Sequence, residues 1–595
     1  MNSLGNSSGK AIWLLVVALL FILGGGFLAY WVQTDGNNVE IRDVRFMGMD
    51  RVMMSGLLYV PSGVGAKNPA PGIVAVHGYM NSRETQDCFA IEFARRGYVV
   101  LAIDQTGHGY SDGPAFVNGF GGPDGLRYLR SLDIVDPNNI GLNGHSMGGY
   151  TTMSAAGKYP NDYKSMVILG SAAGLRGTPE WTPELPRNLR LIYSMKDEFS
   201  KFMYNVPLPK DIVNSDKLKK LFGGTEPVQV GKIYGSLEAG TARQLLMPDH
   251  IHTGDHFEIP TIGLAIEWFQ TTLKGGRAIP PSDQVWYWKQ RGTFLALIGM
   301  FLLIFPLGSM LLETKYFSPL REAEPKCKPA VGFGWWIAAI LTVLIPILTF
   351  FRFQHFVDPP YKASWLFAQN LTSGVMFWAI GNAVISLILL LIWHYGFNRK
   401  NGATAVNYGI TWDSGILWGK IGRSFLMAGT IAFFAYALLS LSDWLFKTDF
   451  RFFVFAIKLM TPLHFQIFLC YLIPFIFFCL VLGTALNGQL RLCQEGGTSI
   501  PLGRAMFINL IIMIIGIIGL LVYQYIPLLS GGTLTIPGEP LLTILGYQFI
   551  PLLGIVGLVT TYFFRKTGHI YVGAFLSAML ITWIVVAGQV IHFKF

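Results

Sequence analysis

The sequence predicts two architectures in one chain. One is an α/β domain whose mostly parallel sheet carries helices on both faces; the other is an all-α, polytopic transmembrane domain. Three observations predict this. Charge is scarce, with 13% charged and 52% apolar residues among 595, where a soluble chain carries about a quarter charged. The apolar residues gather into runs of about 20 on both sides of one polar stretch. Inside that stretch, short apolar runs bounded by Gly, Pro, Asp or Asn alternate with helical patterns, as in strands joined by crossover helices.

The elements follow in order. Ala11 to Trp31 is an unbroken apolar run, long enough to span a hydrocarbon core of about 30 Å. A cleaved signal peptide would be shorter and end in a small-residue site, so residues 1–37 read as a segment with a retained anchor at 11–31. Residues 38–275 form the α/β domain, with buried strands expected at Ile73–Val76, Tyr98–Ile103, Ile140–Asn143, Ser165–Leu169, Leu189–Tyr193 and Arg243–Leu246. Residues 276–292 read as a linker. Residues 293–595 form the second domain, with about eight helices near 293–313, 332–351, 373–394, 423–443, 463–485, 504–527, 541–564 and 570–592. Pro462 is a place where an interfacial helix could part from its span.

The formal charge of +10 does not point to nucleic acid. Residues 38–275 hold 23 basic and 24 acidic side chains, so the excess lies in the short gaps between apolar runs. Such gaps set membrane orientation. With a cytoplasmic N-terminus, 13 basic residues fall inside: Lys10, Lys315, Arg321, Lys326, Lys328, Arg399, Lys400, Lys420, Arg423, Arg491, Arg504, Arg565 and Lys566. Nine fall outside: Arg277, Lys289, Arg291, Arg352, Lys362, Lys447, Arg451, Lys458 and Lys594. The expected location is a multi-pass protein of the cell membrane with its polar domain extracytoplasmic. Cysteines stand at 88, 327, 470, 479 and 493, with no spacing that suggests a metal site or a disulfide framework.

The chemistry gathers at Gly144-His145-Ser146-Met147-Gly148, which reads as strand, sharp turn, helix. Small flanking residues let the backbone turn tightly and push the Ser146 hydroxyl outward, so Ser146 is the expected nucleophile. Gly109-Tyr110-Ser111-Asp112-Gly113 fits the same pattern. No strand runs into it and Pro114 follows, so Ser111 reads as a turn residue.

Three signatures in order, His77-Gly78-Tyr79, Asp104 through Ser111, and the Ser146 elbow, resemble the α/β-hydrolase superfamily, near its serine-aminopeptidase and monoacylglycerol-lipase-like branch. The resemblance covers about residues 40–275. It implies an oxyanion hole from the backbone N–H groups of Tyr79 and Met147, with His77, His108 and His145 packing turns. It also implies the chain order Ser, acid, His. Asp197, ending the strand and loop from Leu189, is the implied acid, with Glu198 its neighbour and rival. His252 is the implied base from its distance to the end of the following helix, with His256 the alternate and His250 a third.

Asp249, His250, His252, Asp255 and His256 cluster as zinc ligands can. The Ser–Asp partnership already demands one of these histidines, so no metal and no cofactor are expected. Two departures from the family stand out. Only about 17 residues join Leu169 to Leu189, too few for a helical cap, and an insertion including Asp211 to Phe222 follows Asp197. Its apolar residues fit one helical face, as a lid, a membrane-facing flap or a solvated helix would require.

In the helical half no ionisable residue sits mid-span, which disfavours ion-coupled transport. Asn382, Gln548 and Gln589 suit hydrogen bonds between helices, and His464 and Gln466 lie near a span end. The sequence therefore reads as a serine hydrolase at the outer surface of a lipid bilayer, cleaving an ester, thioester or amide of a small-molecule, lipid or peptide substrate. An acyltransferase with the same acyl-enzyme, or a non-catalytic receptor or scaffold, are the rival readings.

Overall fold

The structure is a computed structural model that describes residues 2–357, 363–494 and 497–595; Lys362, one of the gap residues, lies outside them. Nine strands form one sheet: β1 (Val39–Met47), β2 (Met53–Pro61), β3 (Ala70–Val76), β4 (Val99–Asp104), β5 (Val135–His145), β6 (Ser165–Leu169), β7 (Leu189–Ile192), β8 (Ile233–Tyr234) and β9 (Arg243–Leu246). Their order is β1-β2-β4-β3-β5-β6-β7-β9-β8. Every pairing from β4 through β9 is parallel, while β1, β2 and β8 run antiparallel to their neighbours. The β1–β2 hairpin is an addition to the expected strands. Charged Glu40, Arg42, Asp43 and Arg45 interrupt β1, and only Val39 and Phe46 are buried, so this edge strand carries little apolar pattern.

Within the sheet, alternate side chains feed two cores, as the pleat requires. Val74, Val76, Leu101 and Ile103 face one side, under α3 (Gly122–Ser131) and α4 (Met147–Lys158). Ile73, Ala75, Val100 and Ala102 face the other, under α2 (Asp87–Arg95) and α7 (Ile259–Thr272), where Phe93 meets Phe269 edge-on at 5.2 Å. Helix α1 (Asn2–Gln33) precedes the domain, and α5 (Ser200–Tyr204) and α6 (Asp216–Phe222) belong to the insertion. Ile212, Leu218 and Leu221 of that insertion pack their apolar face into the α/β core. This layering is the α/β-hydrolase fold.

Eight further helices complete the chain: α8 (Trp286–Leu311), α9 (Phe333–Gln354), α10 (Asn370–Trp393), α11 (Trp418–Phe446), α12 (Pro462–Thr484), α13 (Leu502–Leu529), α14 (Pro540–Thr567) and α15 (Tyr571–Gly588). Among the described residues, nine helices are long and apolar enough to cross a membrane. No separate helix precedes Pro462; that segment is a short hairpin, β10 (Phe450–Phe452) with β11 (Phe455–Ile457). Helices α1 and α8 meet backbone to backbone. A Cβ on Gly25 would lie 2.5 Å from the Gly292 carbonyl, and one on Gly299 would lie 2.8 Å from that of Ala18. Small residues permit this approach. Asn382 bonds Thr349 of the neighbouring α9, the inter-helix role expected for it.

The bundle has two rims, and the helix count is consistent with both. On the rim away from the sheet, Glu322 pairs with Lys420 and His569, Arg565 with Glu324, and Asn398 with the Lys328 carbonyl. Cys327 and Cys493 join in a disulfide there, Cα atoms 6.3 Å apart, a pairing their spacing did not suggest. On the opposite rim, the β10–β11 hairpin, the end of α13 and the tail after α15 all touch the α/β domain.

Charge fastens the domain to its rim. Glu84, buried, accepts from Lys458 at 2.9 Å and from Arg451 at 3.3 Å, and pairs with Arg83 at 3.3 Å. Burial opposes its ionisation, yet these three cations hold the Glu84 carboxyl well below its ordinary value. Glu92 of α2 accepts the N–H groups of Val285 (2.6 Å) and Trp286 (3.1 Å), capping the start of α8 with negative charge. Helix α8 thus begins inside the expected linker, with Trp286 in the α/β core.

Glu84→Ala leaves Lys458 and Arg451 facing a buried gap and is expected to cost about 3–5 kcal/mol. Its folded pKa is depressed, so its stabilisation is present above the unfolded carboxyl value and fades as pH falls toward the folded one. Thermal melting of the full chain at pH 7 checks this; a melting point unchanged from wild type would refute the fastening role.

Candidate active site

Strand β5 ends at His145 and α4 begins at Met147, leaving Ser146 alone at the corner with φ 53° and ψ −122°. A non-glycine residue there costs about 1–3 kcal/mol and persists only where its surroundings impose it. The glycines do so by close approach. A Cβ on Gly144 would meet the Gly148 carbonyl at 2.4 Å, one on Gly148 the Val76 carbonyl at 2.2 Å, and one on Gly149 the Ser171 hydroxyl at 2.4 Å. The Ser146 N–H donates to the Leu169 carbonyl at the end of β6 (2.8 Å), which pins the corner to the sheet.

Two loops from neighbouring strands meet beside it. The loop after β7 and the loop after β9 continue their pairing: the Met195 N–H donates to the Pro248 carbonyl (2.8 Å) and the Lys196 N–H to that of His250 (3.1 Å). This brings Asp197 Oδ2 within 2.7 Å of His252 Nδ1. Asp197 Oδ1 accepts the Phe199 N–H at 2.8 Å and the Tyr193 hydroxyl at 3.2 Å. With Nδ1 donating to Asp197, Nε2 carries the lone pair of the imidazole. Gly170, just past β6, lies against the His252 ring, so Ser146 and His252 converge on the Leu169–Gly170 corner. Burial alone would lower the His252 imidazole, but the charge and hydrogen bond of Asp197, with the charges of Glu198 and Asp255, carry it up to about 9.

The other candidates are held elsewhere. His256 lies beside Gln86 (3.4 Å) and between the rings of Phe89 and Phe453, where burial and its histidine neighbours push it well below the ordinary value. His250 bonds Ser194 (2.9 Å) and Thr261 (2.7 Å). Asp255 accepts from Ser194 at 3.0 Å and faces His145 at 3.3 Å, and Asp249 pairs with Lys196 at 2.6 Å. His250 and Asp255 thus share Ser194, while Asp249, His252 and His256 hold other partners. Ser111 is buried in a turn, where its hydroxyl accepts from Ser55 (2.9 Å) and donates to the Asp104 carbonyl (2.8 Å). His77, lowered to about 4 by burial, accepts the Gln105 N–H at 3.2 Å. The His145 ring lies 4.7 Å from that of His252 and 4.1 Å from that of His256.

Met147 is the first residue of α4, so helix geometry gives its N–H no intrahelical acceptor. The His77–Met80 loop abuts the elbow, with a Cβ on Gly78 falling 3.1 Å from that of Ser146. Tyr79 follows Gly78 and donates to, or accepts from, His592 at 3.0 Å. Phe120, Met147 and Tyr150 form an apolar wall there with Tyr79, Phe116 and Leu175.

Two partners of this site are invisible to local motif reading. Glu198 does not touch the His252 ring; it accepts the His252 backbone N–H at 2.8 Å and the Tyr525 hydroxyl of α13 at 2.8 Å. His592 arrives on the tail after α15, where the Ile591 N–H donates to the Gly107 carbonyl and the Ile591 carbonyl accepts the Ala115 N–H, both at 2.8 Å. The strand-like run of Ile591 toward Ala115 was expected as the end of a span.

Comparison with known proteins fits this geometry. Residues 67–217 match the family described as serine aminopeptidase, S33. A putative non-heme haloperoxidase of Mycobacterium phage D29 is 31% identical over 124 residues, 21% of this chain and 43% of that protein. A lipase of Psychrobacter immobilis is 25% identical over 194 residues, covering 30% and 56%. A proline iminopeptidase of Flavobacterium johnsoniae is 27% identical over 153 residues, covering 25% and 49%. The chain spans about half the length of these curated relatives.

Gly148→Ala drives a Cβ into a strand carbonyl and is expected to cost about 3 kcal/mol. Gly224→Ala, with nothing within 4 Å of its Cβ, should stay within about 0.5 kcal/mol of wild type. Melting points of the two variants check the contrast, and equal values would refute the tight elbow.

Proposed function

We propose that this protein is a serine hydrolase embedded in a membrane, cleaving an ester, thioester or amide through Ser146, His252 and Asp197. One observation carries the reading: a strained serine at a strand–helix corner converges on the same sheet edge as an imidazole fixed by a 2.7 Å carboxylate contact. His252 Nε2 takes the Ser146 proton as Oγ attacks the carbonyl carbon, and Asp197 stabilises the imidazolium. The N–H groups of Tyr79 and Met147 receive the oxyanion, each worth about 3 kcal/mol in related chemistry. Collapse protonates and expels the leaving group, and water, deprotonated by His252, releases the acid from Ser146. The apolar wall of Phe120, Met147 and Tyr150 suits an acyl group. A lipase and a peptidase among the relatives are consistent with ester and amide substrates alike.

Membrane embedding is supported by nine apolar helices and by their outward faces, where Leu348, Trp444 and Ile473 are each more than 70% exposed. The active-site loops meet the bundle directly: Tyr79, Phe199 and Ile251 pack against its apolar core. A substrate therefore reacts next to the bilayer, which favours amphiphiles. The α/β domain faces the exterior in this reading, and the basic far rim faces the cytoplasm. The Cys327–Cys493 bond stands on that far rim, where an oxidising compartment would favour it. The basic residues carry the assignment against that single bond, because they recur over several gaps.

Fluorophosphonate should label wild type and Ser111→Ala but not Ser146→Ala, and labelling of the Ser146 variant would sink the nucleophile. His252→Ala should lower turnover by about a thousand-fold or more, His256→Ala far less; the reverse ranking would move the base. The raised His252 value places the acid limb of kcat/KM above pH 6.5. Cys88 is buried and cannot report sidedness. In intact cells an impermeant maleimide should modify Ser62→Cys and spare Lys400→Cys, and the opposite pattern would invert the topology.

A further inference from the structure

Glu198 sits in a place that the triad alone does not require. One carboxylate oxygen accepts the backbone N–H of His252 and the other accepts the Tyr525 hydroxyl, both at 2.8 Å. Tyr525 is buried at the end of α13, 327 residues away in sequence. That helix end is itself held. Pro527 lacks the N–H that would bond the Tyr523 carbonyl, and the Thr535 hydroxyl takes its place. Gln524 donates to Thr543 of α14 (2.8 Å) and accepts the Ile536 N–H (2.8 Å), and the Tyr547 ring of α14 stacks on Tyr525 at 5.7 Å.

We infer that Tyr525 is a positioning residue for the catalytic base: through Glu198 it holds the His252 backbone, so that the α13–α14 pair of the bundle sets the geometry of the hydrolase site. This rests on the assignment of His252 as base. A tether at the N–H of His252 fixes the imidazole's origin, and an error of about 1 Å there costs up to about 100-fold in rate. It also makes the helical domain a determinant of turnover and not merely an anchor.

The link has an electrostatic signature. The charged and titratable groups around Glu198 are Asp197, His252, Tyr525 and Tyr547; around His252 are Asp197, Glu198 and Asp255 with His145 and His256. Burial and the Asp197 charge raise Glu198 to about 7, opposed by His252 and by the Tyr525 hydrogen bond. Removing the Tyr525 hydroxyl lets Glu198 keep its proton to higher pH. His252 then loses a neighbouring negative charge near neutrality, and its own proton leaves at lower pH.

The test uses the full chain in nanodiscs with a water-soluble p-nitrophenyl ester, comparing wild type, Tyr525→Phe, Glu198→Gln, the double variant and Tyr523→Phe. Tyr523 lies on the same helix with its ring exposed. Fluorophosphonate occupancy of Ser146 counts the folded sites. Tyr525→Phe should lower the pH-independent kcat about ten-fold with KM within about two-fold, and move the acid limb of kcat/KM down by about one pH unit. Glu198→Gln should move the limb the same way, the double variant no further than Glu198→Gln, and Tyr523→Phe not at all. A Tyr525→Phe limb that overlays wild type overturns the inference, as does additivity in the double variant or an equal shift in Tyr523→Phe. If Tyr525→Phe yields no labelled protein, Glu198→Gln decides alone, and an unmoved limb overturns the link. Absent labelling of wild-type Ser146 would instead defeat the hydrolase reading itself.

Discussion

A buried carboxylate among three cations governs the relation between the two halves of this chain. Glu84 stands at the end of the loop that follows β3, and Lys458 and Arg451 come from the hairpin between α11 and α12. None of these charges is tolerable alone in a dry seam, since an unpaired buried ion costs several kcal/mol. The seam therefore closes in one register, in which Asp449 also meets Arg451 and Arg83 reaches back to Asp43 at 2.7 Å. That register places the α13 end under the acid and base loops and the C-terminal tail beside Tyr79. Ion pairs supply specificity here more than net stabilisation, because desolvation consumes much of their attraction.

The elbow solves a different problem, that of keeping a serine in a conformation it would not choose. Its strain is held by backbone on three sides: the Gly148 carbonyl, the Val76 carbonyl and the Leu169 carbonyl that takes the Ser146 N–H. All belong to the α/β domain, so the Ser146 corner is held without help from the helices. His252 is not. Its Asp197 partner is local, but its backbone N–H is satisfied by Glu198, whose other oxygen is bonded to α13. Ser146 and His252 thus have separate sources of order, one intramural and one across the seam.

The division also explains what local sequence could convey. Six strands and the Ser146 corner rest on periodicity and turn chemistry and were legible, whereas Asp197 and His252 were singled out by the family resemblance, with Glu198 and His256 as their rivals. The β1 strand was not, because charged Glu40, Arg42, Asp43 and Arg45 lie along an edge that buries little. Helix α8 starts within the stretch read as linker, since its cap is Glu92, a residue about 190 positions earlier. The Glu198–Tyr525 bond and the Cys327–Cys493 pair have separations of 327 and 166 and no motif to announce them. Glu198 was visible only as a rival acid, a role its geometry does not fill.

A single anchor would hold a hydrolase near a bilayer but leave its orientation free. Here four segments from the helical half bear on the α/β domain: the start of α8 through Glu92, the β10–β11 hairpin through Glu84, the α13 end through Glu198, and the tail through Gly107 and Tyr79. Tethers at four separated points remove rotation as well as translation, and they cluster on one face. That face carries the loop before the elbow and both loops that bear the acid and the base. The contacts of the helices fall on the loops that bear Tyr79, Asp197 and His252, so in the proposed reading the helical half is an outer wall of the catalytic site rather than a separate machine attached to it.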